Sequence, residues 1–407
     1  MKTNIKRFIF SAIPILGLTL ATSCQTTGQQ QETQAKETGV ETITILQTAD
    51  IHGQLMPHQE MFIEDGEFVF KERGGVANIQ TIFKQVKAEN PGGTVIVDGG
   101  DLIQGSAVAA LSEGAVFGPV IKAMDYDFLI PGNWEVIFGS QKMRDVLGSY
   151  GKPVACANIY DEASSDMLYP PYIVKEVKGV KLGFISYNDP EVPVRQNPSF
   201  SKGLIFKQLE DNIEPLIKEL KEEQGVDILF LVTHLGISKQ LYLADQEQIK
   251  GVDFILGNDT HERIRKPLQG KYAQVVEPGA FASFVGRLDL DVKDGKIVDQ
   301  RYELIDVDPA VYPADPEVQK VVDEQMAPYK QKMERVLGYT STPLYRYLVV
   351  ENPMDNMITD AVRWIAAEDA GFYRDALGCV PPPGLPDAYV ALTDAPLEHL
   401  LRRYART

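Results

Sequence analysis

The chain has 407 residues, 57 acidic against 40 basic side chains, a net charge of -17, and only 3 cysteines and 5 histidines. Such acidity argues against a nucleic-acid backbone or an anionic membrane surface as the main partner, although bound divalent cations would still admit an anionic substrate. The length leaves room for two domains, and the few scattered cysteines argue against a disulfide framework or a thiolate metal site.

The N-terminus reads as a targeting segment. Lys2, Lys6 and Arg7 precede an apolar stretch at 8–20, too short to span a bilayer comfortably, and Ala21-Thr22-Ser23-Cys24 resembles a bacterial lipobox. Residues 1–24 are thus expected to be a lipoprotein signal with Cys24 lipidated, an ordinary secretory signal cut near the same point being the alternative. Residues 25–40, rich in Gln, Thr and Glu, read as a flexible tether. The protein is expected to be exported, as a periplasmic or outer-membrane lipoprotein held to the membrane by its lipid anchor alone.

From 41 to 308, strand-like runs alternate with amphipathic helical ones, the pattern of an α/β layered domain. The run 42–48 stops at Asp50-Ile51-His52-Gly53, and 93–98 stops at Gly99-Gly100-Asp101. Next, 127–130 leads to Gly132-Asn133-Trp134-Glu135, 226–232 to Thr233-His234, and 252–256 to Gly257-Asn258-Asp259-Thr260-His261. Between them, 75–89 sets Val76, Ile79, Ile82, Phe83 and Val86 at helical spacing, and 209–223 reads as another helix. In an open α/β sheet the loops beyond the strand carboxyl ends converge on the ligand crevice. Carboxylate, imidazole and amide groups repeated at that edge are what an oxygen/nitrogen metal site requires, and metal-assisted hydrolysis is the chemistry that follows.

A lone histidine usually satisfies a core hydrogen bond. His52, His234 and His261, however, are three of only 5 histidines, and all stand beside strand ends. His58 and His399 lack that placement. Asp98 and Glu135 are expected to be surface or capping groups, acceptors behind the metal ligands being the alternative, and Arg73 an exposed arginine at a helix entry, an anion contact being the alternative.

Runs at 284–292 and 297–305 flank Asp294-Gly295 and read as a hairpin. Residues 309–340 read as a linker built on a charged helix at 316–336, and a second unit opens at 341 with a helix at 354–367. Beyond 370, Lys, Ile and Asn give way to Pro, Ala, Leu and Arg. The unit 341–407 is therefore expected to be incomplete, its tail a shifted reading frame.

The five motifs, in this order, resemble those of the calcineurin-type metallophosphoesterases, in particular the secreted 5′-nucleotidase family. The resemblance covers 42–308, and 351–363 is similar to the start of that family's C-terminal nucleotide-binding domain. It implies an α/β fold, a four-layer α-β-β-α sandwich followed by a truncated α+β domain. It also implies two divalent metal ions, Mn foremost with Zn, Fe or Mg as alternatives, and a small anionic substrate, a nucleotide or another phosphoester. By position it implies Asp50, His52 and His261 on one ion and Asn133, His234 and Asp259 on the other. Asp101 would bridge the two. Asn133, Trp134 and His234 would face the ester, whose phosphorus a bridging hydroxide attacks.

Two departures stand out. Trp134 occupies the place of a histidine thought to assist the leaving group; an indole only donates hydrogen bonds and supplies no proton. Losing a general acid costs roughly 10²–10⁴ in rate, most for poor leaving groups. Asp259 occupies the place of a histidine ligand, giving three carboxylates and an expected surplus of negative charge that weakens the ions' pull on water. Trp134-Glu135-Val136-Ile137-Phe138-Gly139, with Leu344-Tyr345-Arg346, is also similar to the thiosulfohydrolases of bacterial sulfur oxidation. A catalytically impaired lipoprotein that only binds a nucleotide or metal is a further alternative.

Overall fold

The computed structural model describes residues 39–341, 343–345 and 352–370, with side chains of the last helix described through residue 362. The signal segment with Cys24, most of the tether, Arg346 and the tail 371–407 lie outside the described residues. The unit that opens at Glu41 holds every element below.

Its strands, in chain order, are β1 (Glu41–Thr48), β2 (Pro57–Glu64), β3 (Glu67–Gly74), β4 (Thr94–Asp98), β5 (Phe128–Leu129), β6 (Ile159–Asp161), β7 (Tyr172–Val177) and β8 (Val180–Asn188). They continue with β9 (Leu204–Phe206), β10 (Ile228–His234), β11 (Phe254–Asn258), β12 (Leu268–Gln269), β13 (Gln274–Val276), β14 (Phe284–Lys293) and β15 (Lys296–Asp306). One sheet runs β15-β14-β1-β4-β5, the other β12-β13-β11-β10-β8-β7. Strands β1, β4 and β5 are mutually parallel, as are β8, β10, β11 and β13. Within each set, then, the carboxyl ends lie at one sheet edge.

The two sheets pack face to face. Ile43, Ile45, Val95 and Val97 of the first meet Leu182, Phe230, Val232 and Leu256 of the second in one buried cluster. Register sets Phe184, Phe230 and Phe254 abreast on adjacent strands, with ring centroids 4.8 and 5.8 Å apart. Such ring pairs add about 0.5–1.5 kcal/mol each beyond their buried area. Helix Val76–Glu89 covers the outer face of the first sheet through Ile79, Ile82 and Phe83, against Leu46 and Ile96. Helices Ile213–Lys218 and Ile237–Ala244 cover the second, against Leu229, Leu231 and Ile255. The result is the expected four-layer α-β-β-α sandwich. Strands such as β10, buried at every position, read as continuous apolar runs because both their faces are covered.

The Asp294-Gly295 turn joins β14 to β15 with φ of 51° and 71°, the paired positive angles a tight hairpin needs. The helix expected at 209–223 is instead broken into Leu209–Asp211, Ile213–Lys218 and a wider turn at Glu219–Glu223. Pro215 explains the first break, since in the interior of a longer helix its ring would meet the Asp211 carbonyl. Pro328 likewise ends the helix that starts at 316 at Met326. This helix is no free spacer: Val318 and Val322 are buried in the core with the helix Val76–Glu89. The hairpin β2–β3 has no counterpart in the sequence-based reading. Among the described residues, no helix is long and apolar enough to cross a membrane.

Candidate metal centre

Seven side chains from five loops meet where the parallel strands of both sheets end. Asp50 and His52 follow β1, Asp101 follows β4 and Asn133 follows β5; His234 closes β10, and Asp259 and His261 follow β11. The sheets are stitched together at this edge. Gln47 donates to Asn258 at 3.0 Å, Asn188 donates to the Gly132 carbonyl at 2.8 Å, and the Asp259 amide donates to Asp50 at 3.3 Å. The motif glycines are steric requirements: a Cβ on Gly132 would lie 2.3 Å from Asp101 Oδ1, and one on Gly99 would lie 2.1 Å from the Asn258 amide.

The carboxylates and imidazoles point at one another. Asp50 Oδ1 lies 3.9 Å from His52 Nε2 and 3.7 Å from Nε2 of both His234 and His261. Asp101 Oδ2 lies 3.1 Å from His234 Nε2 and 3.7 Å from His52 Nε2, and so sits between the two histidine groups. Asp259 Oδ1 is 3.7 Å from His234 Nε2. Two triads are compact enough to hold an ion: Asp50, His52 and His261, and Asp50, Asp101 and His234. Asp50 thus belongs to both, a sharing that the sequence-based reading gives to Asp101 alone.

Several observations fit a cation here. Asp50 is fully buried, and its Oδ1 has no hydrogen-bond donor. A buried carboxylate oxygen left unpaired is costly, and burial accordingly pushes the Asp50 carboxyl well above its usual range. The Nδ1 atoms of His52 and His234 face the carbonyls of Gln104 at 3.0 Å and Gly99 at 2.8 Å, so each carries its proton there. Their Nε2 atoms are therefore the ones that face the cluster, where a metal can bind by displacing any proton they carry. Asp50, His52, Asp101, Asp259 and His261 all hold positive φ, between 48° and 94°. Such backbone strain costs roughly 1–3 kcal/mol per residue and gathers where function fixes a geometry.

The electrostatics agree. Burial opposes a charge on His234, but Asp101, Asp50 and Asp259 outweigh it and draw positive charge to the ring. Burial also works against the Asp101 carboxylate, yet His234 and His52 hold it down to about 2. Burial and the neighbouring His52 push His261 down to about 4, which keeps it neutral. Asn133 sets its side-chain carbonyl oxygen 3.0 Å from His234 Nε2. Turned over, the same amide would donate to Asp101 Oδ2 at 3.0 Å and to Asp259 Oδ1 at 3.2 Å, so it serves a cation in one orientation and the two carboxylates in the other.

Behind these groups lie three carboxylates. Asp98 and Glu135 are fully buried rather than at the surface; they cap backbone N–H groups, and they do so as acceptors behind the ligand candidates. Glu135 accepts from the amides of Asp101, Leu102 and Gly132, and Asp98 from that of Gly100. Glu277 accepts from the amides of Thr260 and Glu262, which flank His261. Burial pushes all three carboxyls up to about 7. Glu135→Gln turns an NH₂ toward those donors, so a loss of about 3 kcal/mol is expected in denaturant unfolding. An unchanged midpoint would mean that Glu135 does not hold these loops.

Arg73, expected exposed at a helix entry, lies near the end of β3 with its side chain largely covered and paired to Asp308 at 2.9 Å. His58 stands outside the cluster, 3.5 Å from Glu60. The sequence-based reading missed Arg195, whose guanidinium takes both oxygens of Asp259 at 3.0 and 3.1 Å. This pairing offsets the surplus negative charge expected of Asp259. Gln196, beside it, donates to the backbone carbonyl of Asn133 at 2.7 Å. A hollow of about 290 Å³ opens onto the cluster between Gln104, Trp134, Arg195, Asp259, His261 and Phe281.

Comparison with known proteins follows the same outline. The trifunctional nucleotide phosphoesterase YfkN of Bacillus subtilis is 24% identical over 90% of this chain and 27% of its own length. A 5′-nucleotidase of Vibrio cholerae is 25% identical over 65% of this chain and 51% of its own. The chain thus spans about half or less of these two relatives. The sulfate thiohydrolase SoxB of Thermus thermophilus superposes with a TM-score of 0.73 at 23% identity, covering 80% of this chain and 68% of that one. The winged-helix domain model of large helicase-related proteins matches residues 351–392, a stretch running past the last described helix. The calcineurin-like phosphoesterase model matches residues 43–263, more than half the chain and the whole span from Asp50 to His261, and the chain belongs to that family.

Proposed function

We propose that this protein is a metal-dependent phosphoester hydrolase of the 5′-nucleotidase type. Asp50, His52 and His261 would hold one ion and Asn133, His234 and Asp259 a second, with Asp101 between them. The observation that carries the reading is Asp50 Oδ1, buried without a donor and ringed at 3.7–3.9 Å by three imidazole nitrogens. Two divalent ions roughly 3.5–4 Å apart, when bound, would acidify water and neutralise the ester's charge; Mn suits the mixed carboxylate and imidazole donors, as do Zn, Fe or Mg.

The chain's own residues supply the rest. Gln104 and Gly99 hold the His52 and His234 protons on Nδ1 and aim each Nε2 inward. Asn133 contributes an oxygen without charge, so the centre keeps its attraction for an anion. Asp101 is fixed through Oδ1 by the Trp134 amide at 2.7 Å, which leaves Oδ2 for the ions. Trp134 lines the hollow without a proton to give.

Trp134 supports a second reading. The SoxB structure is described as a sulfate thiohydrolase, and sulfate departs or accepts water without strong acid help. A thiosulfonate substrate would therefore suit this hollow as well. Expected results separate the two. The phosphoesterase reading has p-nitrophenyl phosphate turned over faster than AMP, and Trp134→His narrowing that gap roughly 10-fold or more. Equal rates on both esters in the wild type would remove the leaving-group argument. Thiosulfonate turnover without phosphoester turnover would select the second reading, and no turnover of either would leave a binding protein.

Export and lipid anchoring belong to the same proposal, supported by the charged, apolar and Cys24-terminated segment at 1–24.

A further inference from the structure

Arg195 lies on the short helix Val192–Arg195, in the connection between β8 and β9, far in sequence from every motif of the centre. Its Nη1 divides its two N–H groups between Asp189 Oδ2 at 2.5 Å and Asp259 Oδ2 at 3.0 Å. Its Nη2 spends one on Asp259 Oδ1 at 3.1 Å. Among the described residues nothing takes the second N–H of Nη2 or the Nε–H. The side chain is 41% exposed, and it lines the hollow with Trp134, Asp259 and His261.

This is more than a charge partner for Asp259. A plain ion pair would leave a long side chain free to swing, whereas two carboxylates on different loops hold this guanidinium from two sides. Asp189 is itself buried and is also paired to Lys239 at 3.0 Å, so its charge is shared rather than spent on Arg195 alone. Asp259 in turn faces His234 and Asn133, the groups proposed for the second ion. Once Asp259 gives charge to that ion, the positive charge left on Arg195 faces the hollow. A fixed, always charged donor with spare N–H groups beside a site of charge development is a preorganised oxyanion contact.

We infer that Arg195 is an anion-binding residue of this hollow, gripping an oxygen of a tetrahedral oxyanion, the phosphoryl or sulfuryl group of the substrate, through Nη2 or Nε. Resting on the reading that the hollow takes an anionic ester, this supplies the cationic contact that Trp134 does not.

The test is calorimetric titration of inorganic phosphate into manganese-loaded wild type, Arg195→Gln and Arg195→Lys, with metal content measured on each sample. Arg195→Gln is expected to weaken phosphate binding roughly 10- to 100-fold, the loss of a charge-assisted hydrogen bond, with metal content unchanged. Arg195→Lys should fall between, keeping the charge but not the fork. Unchanged phosphate affinity in Arg195→Gln overturns the inference, as does a loss matched by loss of metal, which would make Arg195 a support for Asp259 only. Should the variants fail to fold, a phosphate-bound crystal of the loaded wild type decides: Nη2 or Nε within about 3 Å of a phosphate oxygen supports it, and Arg195 turned away overturns it. Phosphate binding that depends on Arg195 without ester turnover would sink the hydrolase reading and leave this contact standing. Turnover with phosphate affinity indifferent to Arg195 would do the reverse.

Discussion

Asp101→Asn is expected to lose metal and to lower turnover of p-nitrophenyl phosphate by about three orders of magnitude, while the fold survives. The exchange keeps the side-chain shape, and the amide oxygen can still accept from the Trp134 N–H, so the loop after β4 keeps that anchor. What disappears is a negative oxygen 3.1 Å from His234 Nε2 and 3.7 Å from His52 Nε2, the one best placed between the two histidine groups. A catalytic metal supplies several kcal/mol of charge stabilisation, and about 4 kcal/mol corresponds to a 10³-fold change in rate. Unfolding by denaturant and elemental analysis should be read together. A variant with full metal content and wild-type turnover would mean that Asp101 does not bridge.

Stripping metal with a chelator is expected to lower the thermal midpoint by roughly 10 °C. Saturation at about 1,000 times the dissociation constant adds about 4 kcal/mol to the folded state, and each kcal/mol moves the midpoint of a unit this size by a few degrees. Asp50 and Asp101 are buried, and without an ion their charge falls back on His234, whose affinity for a proton they raise in spite of burial. A histidine bound more tightly to its proton in the folded state stabilises fully below about pH 6.5, its unfolded value, and loses that contribution as pH rises through the higher folded value. The stripped protein should therefore weaken as pH climbs above about 6.5, and the gap between loaded and stripped midpoints should widen. A gap that shrinks with rising pH would contradict a metal–proton exchange at His234.

The sequence made the layered fold legible, and with it the meeting of all seven side chains of the cluster, because each follows or closes an apolar run and comes from a small set of residue types. Side chains from Asp50 to His261 do meet at one edge, since the strands that carry them are parallel within each sheet. Asp259 could be placed but not its neutraliser, because Arg195 belongs to no motif and its partners Asp189 and Asp259 are set only by the meeting of two loops. A signal was nonetheless present: the apolar run of β8 also ends at Asn188-Asp189, the same signature as the other strand ends. For Glu135 and Asp98 the sequence allows a surface place or a capping one, because a charged residue beside a glycine turn is usually solvated; the left-handed loops whose amides they accept from decide for capping and require burial. The hairpin β2–β3 is not legible in the sequence because its charged and apolar residues, as in Phe68-Val69-Phe70-Lys71-Glu72-Arg73, give no single buried face.

The measurement that bears most directly on the proposal is anomalous diffraction at the manganese edge from crystals grown with Mn²⁺. Two peaks about 3.5–4 Å apart are expected, one among Asp50, His52 and His261, the other among Asn133, His234 and Asp259, with Asp101 reaching both. No peak within this cluster, or a single ion bound away from Asp101, would contradict the dinuclear centre on which the proposed hydrolysis depends.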